Sequence, residues 1–435
     1  MTQLLRAREG VLTPEMKAVA ETEGIAESVL RERIAAGRAV IPANAKRVAL
    51  GLPAVAPCGI GEGLRTKVNA NIGASRDYAS MDAELEKLKA AVDAGADTVM
   101  DLSTGGDIRE IRRRILEASA VPVGTVPIYD AAVSAVSDGG AVRDMTAADI
   151  LGAVRDHAEQ GVDFVTVHCG VTRAALETLR SAPRVCGIVS RGGSFLANWI
   201  GAHGRENPLY ERFDEVLAIA REHDVTLSLG DGLRPGALAD AMDRAQVHEL
   251  NVLADLCARA REAGVQVIIE GPGHVPLQQI PAQVRLEKEL CKGAPFYVLG
   301  PLVTDVAPGY DHITAAIGGA VAAGAGVDFL CYVTATEHLG LPEAEHVREG
   351  VVVSRIAAHA GDIAKGIPGA LDWDREFSRL RRKRNWPEQL RRCIDPVRAA
   401  ALRERRGSAD RDVCSMCSEL CAFRIDDDTE KGSRR

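Results

Sequence analysis

Aromatic side chains are scarce: Phe, Trp and Tyr make up 4% of 435 residues, whereas hydrophobic residues reach 46%. So long a chain can still bury a large core, but Ala, Val, Leu and Ile must fill it, and the 42 glycines predict many tight loops. An excess of positive charge is also missing. The 61 acidic and 53 basic residues leave a formal charge of −8, which excludes a main task of neutralising nucleic-acid phosphates. The basic residues that do cluster, from Arg375 to Arg406 in RRKRNW and RRC, suit a solvated helical face or a partner-facing surface. No apolar core is legible in the opening MTQLLRAREG, and ten scattered cysteines follow no secretory pattern, so a soluble protein of the reducing cytoplasm is expected. Only the stretch Ile313 to Val333 approaches a membrane span. It is rich in Ala and Gly and carries Asp328, which predicts a buried helix running into a strand.

The chain also lacks one metal ligand. Cys414, Cys417 and Cys421 place three thiols within CSMCSELC, no cysteine follows Cys421, and the last histidine is His359. A closed four-ligand zinc site cannot be completed locally. Three cysteines suit a [4Fe-4S] cluster that leaves one iron open to a substrate or cofactor. A structural zinc borrowing a distant ligand, or three free thiols, are the alternatives that spacing leaves open.

From Thr98 to Val333 one grammar repeats: a short apolar run, a polar or glycine-rich loop, then an amphipathic stretch. The runs are TVMDL from Thr98, PVGTVPI from Pro122, DFVTV from Asp163, CGIV from Cys186, VTLSL from Val225, VQVII from Val265, PFYVL from Pro295 and DFLCYV from Asp328. Eight strands alternating with helices predict an α/β fold, a (β/α)8 barrel. An open doubly wound sheet is disfavoured because no GxGxxG follows the first run. After the runs come STGGD, YD, HCG, SRGGS, GDGLRPG, EGPGH, GPLVTD and TATEH. In that phase the polar residues should converge on one mouth, where barrel enzymes carry their chemistry. The expected organisation is an N-terminal segment over 1–75, the barrel over 76–345, and a helical C-terminal extension over 346–435 bearing the cysteines. A helix is expected near Glu15 to Ala36, and GIGEGLRTKVNANIG suits a loop close to ligand. The extension should be helical through Ile356 to Lys365 and Trp373 to Arg406, loosen at GSADRD, and end in a disordered DDDTEKGSRR.

Within the mouth, His274 and His338 could share zinc or iron while leaving positions for other ligands; His168 and His312 are comparable candidates. Arg191 and Arg234 are the best donors for an anionic group, with Gly192, Gly193 and Gly232 letting backbone amides approach it. Asp231 and Glu270 could accept hydrogen bonds or protons. Each has a structural reading as a helix cap or a rim ion pair, so the argument rests on eight loops agreeing.

The strings AVIPAN, GLRTKVNANIG, GADTVMDLSTGGDI, VPVGTVPIY, SRGGSF, SLGDGLRPG, IEGPGHVP, PFYVLGPLVTD, APGYDHIT, EHLGLP and CSMC closely resemble the phosphomethylpyrimidine synthase family, from about residue 38 to residue 424. The resemblance implies a radical S-adenosylmethionine lyase of thiamine biosynthesis that rearranges 5-aminoimidazole ribotide into 4-amino-5-hydroxymethyl-2-methylpyrimidine phosphate. It implies substrate contacts at Asn71, Met100, Tyr129, His168, Ser190, Arg191, Gly192, Asp231, Gly232, Leu233, Arg234, Glu270 and Tyr297. It further implies zinc on His274 and His338, a [4Fe-4S] cluster on Cys414, Cys417 and Cys421, an electron donor, and a homodimer whose cysteine extension serves the partner's barrel. Two departures from the family pattern, a C-x2-C-x3-C spacing and no long N-terminal domain, resemble a short-form subgroup. The related 5-hydroxybenzimidazole synthase, which uses the same ribotide, is the alternative; DLSTGGDI leans toward the thiamine enzyme. A zinc-dependent barrel lyase or hydrolase would be colourless and indifferent to S-adenosylmethionine, and a nucleic-acid-binding knuckle is opposed by the acidic total.

Overall fold

Eight parallel strands close into a barrel in the computed structural model, which describes residues 1–407 and 410–432. In chain order they are β1 (Lys67–Ile72), β2 (Thr98–Asp101), β3 (Val123–Thr125), β4 (Phe164–Val167), β5 (Thr226–Leu229), β6 (Val267–Gly271), β7 (Phe296–Leu299) and β8 (Phe329–Cys331). Closure comes from β8 lying beside β1, with Phe329 opposite Lys67 and Cys331 opposite Asn69.

The expected count of eight holds, but one expected strand does not. Residues 182–190, which include CGIV, form a loop whose Val185 and Val189 are 76% and 41% exposed. The missing member is β1, in KVNANI, within the segment expected to precede the barrel. Its polar residues hide it. Asn69 bonds to Tyr297 Oη and to Asn71 Oδ1, each at 2.8 Å, and accepts from Thr98 at 2.7 Å, so these amides are satisfied among strands rather than in water. An apolar-run criterion passes over such a strand.

Few aromatics are needed to fill the barrel. Tyr297 stacks on Phe329 at 4.2 Å between ring centroids, and Phe164 meets Phe329 edge-on at 6.4 Å. Gly124 makes room: a Cβ there would lie 2.3 Å from the Phe164 ring. Outside the barrel, helices Asp311–Ala325 and Ala344–Lys365 pack through small residues. A Cβ on Gly361 would sit 2.2 Å from that of Ala323, and one on Gly318 would sit 1.9 Å from the Pro301 carbonyl oxygen. The apolar stretch from Ile313 is thus a partly buried helix leading to β8, as its composition predicts. No helix among the described residues is long and apolar enough to cross a membrane.

The N-terminal residues form three helices, Gln3–Arg8, Pro14–Glu23 and Glu27–Ala35, around Met16, Val19, Leu30 and Ile34. The single helix expected near Glu15 to Ala36 is broken at Gly24, whose φ of 65° closes the second helix.

Two compact units are present, Met1–Lys365 and Gly366–Arg435, so helix Ala344–Lys365 belongs with the barrel rather than the extension. The second unit contains helices Ala370–Arg382, Trp386–Arg392, Pro396–Arg405 and Ala422–Gly432. Arg403 lies 3.6 Å from the Trp386 ring centroid, and the Trp386 indole donates to the Asp412 carbonyl at 3.0 Å. The expected disordered tail is corrected over residues 426–432, which continue the last helix. Two of its acidic residues are paired there: Arg382 reaches Asp426 at 2.9 Å and Arg384 reaches Asp427 at 2.7 Å. The final residues 433–435, and Ser408 and Ala409 of GSADRD, lie outside the described residues.

Candidate active site and metal centre

At the carboxyl ends of the strands lies a cavity of about 300 Å³. Asn71, Met100, Glu270 and Tyr297 reach it from β1, β2, β6 and β7, Tyr129 from the first turn of helix Ile128–Ser137, and His168 from the residue after β4. Arg191 opens helix Arg191–His203, and Asp231 and Arg234 lie on the loop after β5; all three line the same space. Sequence reasoning missed Thr166, Cys331 and Glu337, which also line it. The alternation of β4 carried a signal for Thr166, two residues before His168.

Five other expected residues build the wall. Ser190 caps helix Arg191–His203, its hydroxyl accepting from the Gly193 N–H at 3.1 Å. A Cβ on Gly192 would lie 2.3 Å from the His168 ring, so this helix start approaches β4 only as glycine. A Cβ on Gly193 would lie 2.0 Å from the Gly232 carbonyl oxygen, which ties the same helix to the β5 loop. Leu233 is fully buried, and its N–H donates to Glu249 Oε2 at 2.8 Å. Glu249, on helix Arg244–Glu262, had no part in the sequence reading.

Charge is unevenly distributed here. Arg191 lies 5.0 Å from the Tyr129 ring centroid, and Arg234 Nη1 is 3.2 Å from Asp231 Oδ1. Burial pushes the Asp231 carboxyl up to about 8; Arg234 opposes this and Glu270 adds to it. Burial also raises Glu270, although Ser228 and Thr166 donate hydroxyl bonds to its Oε1 at 2.6 and 2.7 Å. His168 is pushed down to about 3, first by burial and then by Arg234, and is therefore neutral. Two guanidinium groups, a helix N-terminus and a protonated carboxyl can hold an anionic, hydroxyl-rich molecule.

Beside the cavity, the His274 and His338 rings have centroids 5.4 Å apart. His274 Nδ1 is 2.8 Å from Asp305 Oδ1, and His338 Nδ1 is 3.1 Å from Asp311 Oδ1. Each Nδ1 thus has a carboxylate partner, which leaves Nε2 as the ligand atom. A donor pair of this kind fits zinc or iron with further positions open. His312 is buried elsewhere, with Nε2 4.0 Å from Glu349, and His168 packs against Gly192. Of the four histidines considered, the structure pairs His274 with His338.

In the second unit, Cys414 and Cys421 are partly buried and Cys417 is exposed. A 3-10 turn, Ser418–Leu420, separates the last two, and the Cys421 carbonyl accepts from Ile425 at 3.0 Å to begin the final helix. Among the described residues only Glu343, Glu345 and His346 bring three ligand atoms within 4.8 Å of one another, and these lie exposed or half-buried. Three soft thiols within eight residues match iron in donor chemistry.

The sequence matches the family described as "Radical SAM ThiC family" over residues 2–428. It is 58% identical over 425 residues to a phosphomethylpyrimidine synthase of Desulforamulus reducens, covering 98% of this chain and 97% of that one. A Dehalococcoides mccartyi protein of the same name is 59% identical over 428 residues, with the same coverage. One from Geobacter metallireducens is 54% identical over 434 residues, covering all of this chain and 98% of that protein.

Proposed function

The chain belongs to the radical SAM ThiC family, and from that premise we propose that it converts 5-aminoimidazole ribotide to 4-amino-5-hydroxymethyl-2-methylpyrimidine phosphate, the phosphomethylpyrimidine synthase reaction of thiamine biosynthesis. The carrying observation is the cavity at the strand ends, where Arg191, Arg234, Asp231 and Glu270 meet with Asn71, Tyr129, His168 and Tyr297. Arg191, Arg234 and the amides opening helix Arg191–His203 bind the phosphate. Glu270 and Asp231 take hydrogen bonds with the ribose and amino groups, Asn71 and Tyr297 orient the imidazole, and Met100 supplies an apolar wall. Enclosure by the barrel excludes water from a reactive radical.

Cys414, Cys417 and Cys421 would hold a [4Fe-4S] cluster, which when bound supplies the electron that splits S-adenosylmethionine into methionine and a 5′-deoxyadenosyl radical. His274 and His338 would hold zinc or iron, which supplies a Lewis-acidic centre with open positions. The reading includes a cytoplasmic homodimer supplied by an external electron donor.

The test is product analysis after anaerobic reconstitution and reduction with S-adenosylmethionine and the ribotide. The expected products are the pyrimidine phosphate, formate, carbon monoxide, methionine and 5′-deoxyadenosine. Formation of 5-hydroxybenzimidazole would replace this reading with the cobamide-ligand alternative, and absence of 5′-deoxyadenosine would overturn both.

A further inference from the structure

A histidine that binds a metal through one ring nitrogen needs its other N–H held, because that bond selects the tautomer, fixes the ring plane and raises ligand basicity. Both candidate ligands have such a partner, from different elements. His274, only 8% exposed, contacts Asp305 of the loop after β7 at 2.8 Å. His338, which follows β8, contacts Asp311, the first residue of helix Asp311–Ala325, at 3.1 Å. Asp311 is 3% exposed.

Asp305 has a second attachment. Its Oδ2 accepts the N–H of Leu238 at 2.9 Å, in the 3-10 turn Leu238–Asp240 that follows the loop carrying Asp231 and Arg234. One carboxylate therefore braces both a candidate metal ligand and the far end of the anion-binding loop. Asp311 is committed differently: Oδ1 meets His338, while Oδ2 is buried without a hydrogen-bond partner among the described residues. A buried carboxylate whose single partner is an imidazole makes sense as an orienting group more than as part of an ion-pair network.

We propose that Asp305 and Asp311 are positioning residues that hold His274 and His338 with Nδ1 protonated and Nε2 directed at one divalent cation. We further assign to Asp305 the coupling of that cation to the Arg234 loop. This rests on reading the two histidines as metal ligands, so the experiment separates the two claims.

Metal-stripped full-length protein is titrated with Co2+ and Zn2+, following the Co2+ visible spectrum, alongside His274→Ala, His338→Ala, Asp305→Asn, Asp305→Ala and Asp311→Asn. The histidine variants should lose the site. The aspartate variants should keep it with about 10- to 100-fold weaker affinity and an altered Co2+ spectrum, a signature that a purely structural role would not move. Asparagine keeps the size but only one acceptor oxygen, so circular dichroism and thermal unfolding of Asp305→Asn, which should match wild type, separate a weakened site from misfolding. Ribotide binding, measured with and without Zn2+, should tighten with the metal in wild type and lose that dependence in Asp305→Ala. If both histidine variants bind Co2+ like wild type, the metal reading itself falls. If they lose it while the Asn variants match wild type in affinity and spectrum, the ligands stand and the positioning assignment is wrong. Retained metal dependence of ribotide binding in Asp305→Ala would remove the coupling.

Discussion

The barrel mouth and the cysteine-bearing unit solve opposite problems. At the mouth, polar groups are sunk into the barrel before any ligand arrives: Asp231, His168 and Tyr297 are at most 7% exposed. In the second unit the only buried hydrophobic side chains among the described residues are Leu380 and Val413, and cohesion comes from arginine–aspartate pairs and the stacking of Arg403 on Trp386. The difference teaches where preorganisation resides. A substrate pocket gains from rigidity built at folding, whereas a metal-cluster segment completes its geometry through its own metal bonds.

The sharpest way to break that comparison is to remove one thiol. Cys414→Ala, Cys417→Ala or Cys421→Ala should abolish the cluster absorption and all 5′-deoxyadenosine formation, yet leave ribotide binding to the barrel intact. Stoichiometric zinc with no iron–sulfur absorption in the wild-type protein after anaerobic reconstitution would sink the cluster assignment.

The reciprocal change is smaller. Arg191→Ala and Arg234→Ala should each weaken ribotide binding by about 1.5–3 kcal/mol, the worth of a charge-assisted hydrogen bond, without altering cluster absorption. Calorimetry with the ribotide checks this, and unchanged affinity in both variants would remove them from the phosphate site.

A third test concerns the cost of burying Asp231. Its carboxyl is raised to about 8 by burial, so between the ordinary carboxylate range and pH 8 the folded chain holds a proton that the unfolded chain has released. Stability contributed by this group is therefore greatest at low pH and falls as pH rises through that window. Urea unfolding at a series of pH values should show a shallower decline for Asp231→Asn than for wild type; an identical slope would mean that Asp231 is ionised in the folded protein.

The smallest effect belongs to the second unit. Exposed ion pairs are screened by salt, so amide exchange in helix Ala422–Gly432 should quicken when ionic strength is raised, and Asp427→Asn should mimic part of that change. Exchange in β4 and β5 should not respond. Equal responses in both places would erase the distinction between the two units.

Much of the mouth was legible because polar groups followed apolar runs in a fixed phase: Asp231, Arg234 and Glu270 were found that way, whereas Arg191 was found after CGIV, a run that forms no strand. That criterion failed where local composition misled it. KVNANI carries amides on a strand because Asn69, Asn71 and Tyr297 satisfy one another inside the barrel, while CGIV is apolar and sits in a loop. Asp305 and Asp311 were visible as letters in PLVTD and GYDHIT, but their partners lie 31 and 27 residues away, and only the fold brings them together. The final helix was missed because Asp426 and Asp427 are balanced by Arg382 and Arg384, more than 40 positions earlier in the chain.

Gly318 and Gly361 have a consequence for how this molecule can be interrogated. Alanine is the customary neutral probe, yet a methyl group on Gly318 would collide with the Pro301 carbonyl oxygen at 1.9 Å and one on Gly361 with Ala323 at 2.2 Å. Either collision would displace the helix whose first residue is Asp311. An alanine scan would then score two remote, chemically blank positions as though they belonged to the candidate metal centre, and a designer recoding the barrel's exterior would find its tolerance to added volume lowest where the sequence looks plainest.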